Sequence, residues 1–271
     1  MKVIFYMNEF KKITIKSIYD LLNSSFPIAN QETWDQSGLR LFDLKSTPIS
    51  KIILCLDCTK DIIDYAIENN YKLIISHHPI FKKNKYFEPS KFDIENIKIL
   101  KAHKISLLSL HTCIDNHENG LNTYILKKIG LNNIQKNNCK YGCYFSGTLP
   151  NEITTKSFTK LLFKKLNLSH VIAMKNKINN KVKNIALCCG SGFSVFRTEI
   201  NNLNQFDAIL TGDIKWHDWR LVDQCKWALI DIGHDVEKNF CFLIKEKIEQ
   251  NFKNISIKIV EPYLDFYFKT K

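Results

Sequence analysis

Leu73-Ile74-Ile75-Ser76-His77-His78-Pro79 is the stretch from which the rest of the chain can be read. The apolar run Leu73–Ser76 predicts a short strand, and Pro79 stops regular structure immediately after it. Two imidazoles are thereby delivered at a strand's carboxyl end. Adjacent residues of a regular strand face opposite ways. Outside regular pairing, both rings can aim at neighbouring points, which suits two ions better than one. Taken alone, His-His-Pro is equally compatible with a surface turn.

The same alternation extends on both sides. Upstream, a helix runs from the N-cap Thr14 through Ile15, Ile18, Leu21 and Leu22, with Pro27 beyond its end. A strand at Lys51–Leu56 leads into a helix around Asp61–Asn69. Downstream, a helix near Ile94–His103 precedes a strand at Ile105–Leu110, which delivers His111, and Gly120–Lys128 begins the next helix. The polar, asparagine-rich stretch Asn132–Lys140 is the candidate boundary. Beyond it come a helix near Lys156–Leu166, a strand near Val182–Cys189 and the turn Gly190-Ser191-Gly192. Strands at Phe206–Leu210 and Trp227–Ile232 end at Thr211-Gly212-Asp213 and Gly233-His234. A helix from about Asp235 to Gln250 and a strand near Ile255–Val260 follow. This is the pattern of an α/β fold. It divides into an N-terminal lobe, 1–131, and a second lobe, 132–271, whose C-terminal part returns side chains to a shared site.

Composition narrows the function classes. The 271 residues are 45% hydrophobic, enough to bury a substantial core. No apolar run approaches the length needed to span a bilayer, and Met1–Lys12 lacks the features of a secretory signal. A soluble cytoplasmic protein is expected, with no membrane partner. Nine cysteines at irregular spacings do not read as a disulfide framework. Cys55 and Cys58 form a C-x-x-C pair with no second pair to answer it. They, Cys139 with Cys143, and Cys188 with Cys189 read as compact core residues. The net charge of +12 invites nucleic-acid binding. However, arginine occupies only positions 40, 197 and 220, and base-specific readout leans on arginine's bidentate fork. Nucleic acid is therefore a weakly supported partner.

Four strand-end segments carry the chemistry: Ser76–Phe81, His111–Asp115, Thr211–His217 and Gly233–Glu237. In open α/β sheets, ligands gather at the carboxyl ends of strands. The donors are imidazole and carboxylate, a set suited to first-row divalent ions and not to a structural thiolate site. A dinuclear centre is the leading expectation. Asp115 reads either as a ligand or as a helix N-cap or turn acid. His234 and Glu237 lie three apart at an expected helix start and share a face. Glu237 reads either as an acid stabilising the helix dipole or as the carboxylate bridging two cations. His111, Lys215 and His217 are the catalytic candidates. Asp213 reads as the cap of the helix carrying Lys215 and His217, whose alternative role is contact with an anionic substrate. The turn Gly190-Ser191-Gly192-Phe193-Ser194 could present backbone N–H groups to phosphate.

Together these segments resemble the family of type 2 homologues of GTP cyclohydrolase I, also called Nif-three-like proteins. The resemblance includes Trp34-Asp35-Gln36-Ser37-Gly38-Leu39, His77-His78-Pro79, His111 to Asp115, and Tyr141-Gly142 with Gly147. It continues through Gly190-Ser191-Gly192, Thr211-Gly212-Asp213 and Asp231-Ile232-Gly233-His234. It implies two interlocked α/β lobes with mixed sheets and a ring-shaped homohexamer. It also implies two divalent ions per subunit (zinc, manganese or iron) held by His77, His78, Asp115, His234 and Glu237. A metal-dependent hydrolase acting on a nucleotide or small phosphorylated substrate follows, with a non-catalytic metal-bound scaffold as the alternative. The family usually places its acid four residues after the histidine, whereas Glu237 follows His234 by three. Asp235 is therefore a possible substitute.

Overall fold

Helix α1 (Ile15–Ser25) begins at a closed capping box. The Ser17 N–H donates to Thr14 Oγ1 (3.1 Å) and the Thr14 N–H to Ser17 Oγ (2.9 Å). The computed structural model describes residues 12–40 and 47–260. Residues 1–11, 41–46 and 261–271, which include the outer ends of both expected lobes, lie outside the described residues. After α1 come β1 (Gly38–Arg40), β2 (Lys51–Cys55), α2 (Lys60–Glu68), β3 (Leu73–Ser76), α3 (Lys91–Ala102) and β4 (Ser106–Ser109). The one-turn α4 (Thr112–Asp115) and α5 (Leu121–Lys128) lead to β5 (Asn132–Cys139), β6 (Gly142–Thr154), α6 (Thr155–Leu166) and β7 (Ile172–Ala173). The chain continues through β8 (Lys181–Leu187), α7 (Phe193–Glu199), β9 (Ala208–Thr211), α8 (Trp216–Val222), β10 (Ala228–Asp231), α9 (Asn239–Asn251) and β11 (Ser256–Val260).

Two mixed sheets result. The first has the order β1-β4-β3-β2-β11, the second β5-β6-β8-β9-β10-β7. In the first, β11, β2, β3 and β4 run parallel and β1 pairs antiparallel to β4. In the second, β8, β9 and β10 are parallel, flanked by antiparallel β6 and β7.

Period-two alternation assigns each strand's two faces. Leu54, Ile75 and Leu108 of the first sheet join Leu187, Leu210 and Ile230 of the second in one central core, to which α1, α5, α6 and α9 contribute. The intervening Ile53, Ile74 and Leu107 pack under α2 and α3, while Ala186, Ile209 and Leu229 pack with Phe196 of α7. The central strands of both sheets are apolar on both faces, and His77, His111 and His234 stand just past the ends of β3, β4 and β10.

One strand was not foreseen and one expectation needs correction. The candidate boundary stretch Asn132–Lys140 contains edge strand β5, Asn132–Cys139, paired antiparallel to β6. A half-exposed edge strand can be polar throughout and so carries no apolar signature. The expected helix from Asp235 is instead a 3₁₀ turn, His234–Lys238, with α9 beginning at Asn239. No helix among the described residues is long and apolar enough to cross a membrane.

Candidate metal centre

The carboxyl ends of β3, β4 and β10 converge on one cluster. His77, fully buried, donates from ring Nδ1 to the Leu110 carbonyl at 2.9 Å. Its Nε2 is buried without any hydrogen-bond partner, 3.5 Å from Glu237 Oε2 and 3.7 Å from Asp115 Oδ2. His78 Nδ1 is held by Asp57 Oδ1 at 2.7 Å, and its Nε2 lies 3.0 Å from Glu237 Oε2. His234 Nδ1 is held by Asp213 Oδ2 at 2.6 Å, with Nε2 2.9 Å from Glu237 Oε2 and 3.3 Å from His78 Nε2. His111 Nδ1 is held by Asp35 Oδ1 at 2.9 Å. Asp35 itself accepts hydrogen bonds from Ser37 Oγ and Thr112 Oγ1. All four imidazoles are thus fixed at Nδ1 by an acceptor, the arrangement that orients metal-binding histidines and leaves Nε2 as the donor lone pair.

The three-residue spacing of His234 and Glu237 follows from the 3₁₀ turn. Residues i and i+3 eclipse in a 3₁₀ helix, so Glu237 falls directly beneath His234 and points into the cluster. Asp235 points away, to Ser169 Oγ and Lys238 Nζ, both at 3.3 Å. Gly190 makes room for the carboxylate. Its φ is +62°, and an added Cβ would stand 2.2 Å from Glu237 Oε1.

Charge in the cluster is unbalanced toward carboxylate. Burial pushes the His77 imidazolium down to about 4, so this ring is neutral. Burial also opposes a charge on His78, but hydrogen bonds to Asp57 and Glu237 outweigh it and raise the ring to about 10. His234, bonded to Glu237, is raised to about 9. Burial alone would raise Glu237, but the surrounding imidazoles, hydrogen-bonded to its carboxylate, hold it well below the usual carboxylate range. Burial and the nearby Glu237 charge push Asp115 well up.

Three overlapping groups could hold a metal ion, each with its donor atoms within 4.8 Å of one another: His77/His78/His111, His78/His234/Glu237 and His77/Asp115/Glu237. The orphaned His77 Nε2, aimed among these carboxylate oxygens, fits a cation. The structure therefore brings together His77, His78, Asp115, His234 and Glu237, and adds His111 at the margin. A cavity of about 350 Å³ opens beside them, lined by His111, Asp115, His234, Glu237, Trp34 and Tyr141.

Lys215 and His217 stand outside these groups, in an adjoining cleft. Asp213 does not cap α8 as expected. Asp218 accepts the Lys215 N–H (3.3 Å) instead, which leaves Asp213 to hold His234. Sequence reasoning missed Asp35 and Asp57 as orienting acids; of the two, only Asp57, just past the strand β2 that pairs with β3, carried a positional signal. Cys189, expected as a core residue, is buried, with its Sγ 3.8 Å from Asp115 Oδ1. Burial pushes this thiol well up, so it is inert. Cys55 and Cys58 are buried, as expected of core residues, while Cys139 and Cys188 are half-buried.

The fold and site define a mixed α/β protein whose strand ends gather histidine and carboxylate side chains that could hold divalent metal. The chain belongs to the Duf34/NIF3 (NGG1p interacting factor 3) family, whose model matches residues 13–263. It is 31% identical over 250 residues to the GTP cyclohydrolase 1 type 2 homolog of Ureaplasma parvum serovar 3, covering 90% of this chain and 94% of that one. It is 32% identical over 255 residues to the GTP cyclohydrolase 1 type 2 of Helicobacter pylori strain J99, covering 89% and 97%. Among solved structures, a Staphylococcus aureus hypothetical protein superposes with a TM-score of 0.79 at 26% identity, covering 96% of this chain and 100% of that one. A Bacillus cereus protein related to NIF3 superposes at 0.80 with 17% identity, covering 96% and 100%, a likeness of fold.

Proposed function

We propose that His77, His78, Asp115, His234 and Glu237 hold two divalent cations, and that the protein is a metal-dependent hydrolase acting on a nucleotide or another small phosphorylated molecule. The observation that carries this reading is the position of Glu237. Its Oε2 stands 2.9, 3.0 and 3.5 Å from the Nε2 atoms of His234, His78 and His77, and it belongs to two of the three candidate groups. A carboxylate common to two donor sets is what a bridging ligand requires. Nitrogen and oxygen donors suit zinc, manganese or iron. Bound cations of this kind activate water and polarise a carbonyl or phosphoryl oxygen. The chain's own residues do the rest: Asp57, Asp213 and the Leu110 carbonyl fix the rings, and His111, held by Asp35, faces the same cavity where substrate would sit. The Helicobacter relative's name places GTP first among the substrates to test.

Elemental analysis of the purified protein should find two ions per subunit, with at least one lost in His78→Ala and in Glu237→Ala. Full occupancy in Glu237→Ala would sink the bridging role. Protein loaded with zinc, manganese or iron should turn over at least one member of a panel of GTP, phosphoesters and cyclic amidines. No turnover across the panel favours the second reading, to which the +12 charge lends weight: a metal-bound homohexameric ring that acts as a scaffold contacting protein or nucleic acid.

A further inference from the structure

Beside the metal cluster lies a cleft of about 520 Å³ whose lining includes Tyr141, Ser191, Ser194, Arg197, Lys215 and His217. Resting on the hydrolase reading above, we infer that this cleft is an anion subsite. It holds the phosphate groups of the substrate while the rest of the molecule reaches the metal cluster.

Three observations support the assignment. First, both carboxylates in the cleft are already committed. Asp218, 3% exposed, takes the Arg197 ion pair and the Lys215 N–H and lies 3.6 Å from His217 Nε2, while Asp213 holds His234. Second, donors are left over. Lys215 has no ion-pair partner among the described residues, and the hydroxyls of Ser191 and Ser194 make no hydrogen bond there. A guanidinium with five N–H donors keeps some free after one carboxylate contact. An ammonium, a guanidinium, an imidazole and two hydroxyls around an open cleft are the chemistry that takes a phosphate chain. Third, the cleft is continuous with the reaction pocket. Tyr141, Ser191 and Ser194 also line the cavity that contains His111, Asp115, His234 and Glu237. Tyr141, 59% exposed, stands where the two meet. Phosphates held by Lys215 are a handle and not the reacting group, so the bond that breaks lies at the other end of the ligand.

The test is calorimetric titration of inorganic triphosphate into the full-length protein at fixed ionic strength. Lys215→Ala should weaken binding about tenfold or more, the loss of a charge-assisted contact, and Lys215→Arg should restore most of it. Lys98→Ala, an exposed lysine on α3, controls for diffuse charge and should stay within about twofold of wild type. Elemental analysis separates this inference from the metal reading: Lys215→Ala keeps its metal, whereas Glu237→Ala loses metal yet still binds triphosphate. A Glu237→Ala protein that retains both sinks the bridging role alone and leaves the subsite standing. The inference is overturned if wild type does not bind, if Lys215→Ala binds like wild type, or if Lys98→Ala is weakened equally. Abolition of binding by Glu237→Ala would place the phosphates on the ions and overturn it as well.

Discussion

Each imidazole of the cluster has one nitrogen occupied by the protein and one turned to the pocket. For His78 the occupying group is Asp57, 2.7 Å from Nδ1, at the end of the segment that follows β2. Asp57 both fixes the ring's orientation and makes its Nε2 a better donor, and loss of such a partner weakens metal binding by about 10- to 100-fold. Asp57→Ala should therefore lower metal affinity by that factor in competition with a chelating dye, with the fold intact by circular dichroism. Unchanged affinity would mean that backbone geometry alone orients His78. The sequence marked the histidines and Glu237 by their place at strand ends. It did not mark Asp57, Asp35 or Asp213, because an acid near a strand end serves equally well as a cap.

At the scale of elements, short local devices set where each candidate ligand lands. The 3₁₀ turn His234–Lys238 is the clearest case, since its three-residue period lets Glu237 share His234's direction. In an α-helical start the two side chains would still share a face but stand about 60° apart around the axis. Helix α1 shows the other kind of device, a cap legible from Thr14 onward. Thr14→Ala leaves the Ser17 N–H without its side-chain acceptor and should cost about 1 kcal/mol. The measurement is the urea midpoint at constant slope. No shift would show that packing of Ile15, Ile18 and Leu22 into the central core holds the helix without its cap.

Across the whole molecule, the candidate ligands come from both sheets. His77 and His78 follow β3 and Asp115 ends α4, whereas His234 and Glu237 follow β10. An ion held by this set ties the two sheets together, and the unfolded chain has no comparable site. Binding to the native state alone stabilises it by about 2.7 kcal/mol when free ion is 100 times the dissociation constant. Dialysis against chelator should thus lower the thermal midpoint by several degrees, and added metal should restore it. An unchanged midpoint would indicate a cluster that does not bind metal tightly enough to matter to folding.

The sequence by itself determined the α/β alternation, the positions of most strands and helices, and which histidines and acids sit beyond strand ends. These follow from local periodicity and from Pro79, Gly190 and Gly233, all readable within a few residues. It did not reveal β5, whose polar edge position erases the apolar signal, nor which of Asp235 and Glu237 points into the cluster. Only the tertiary structure decided those, together with the pairing of each imidazole with its acid. Contacts such as His78 to Glu237 span 159 residues. They depend on how two sheets pack against one core, and no local pattern encodes that distance.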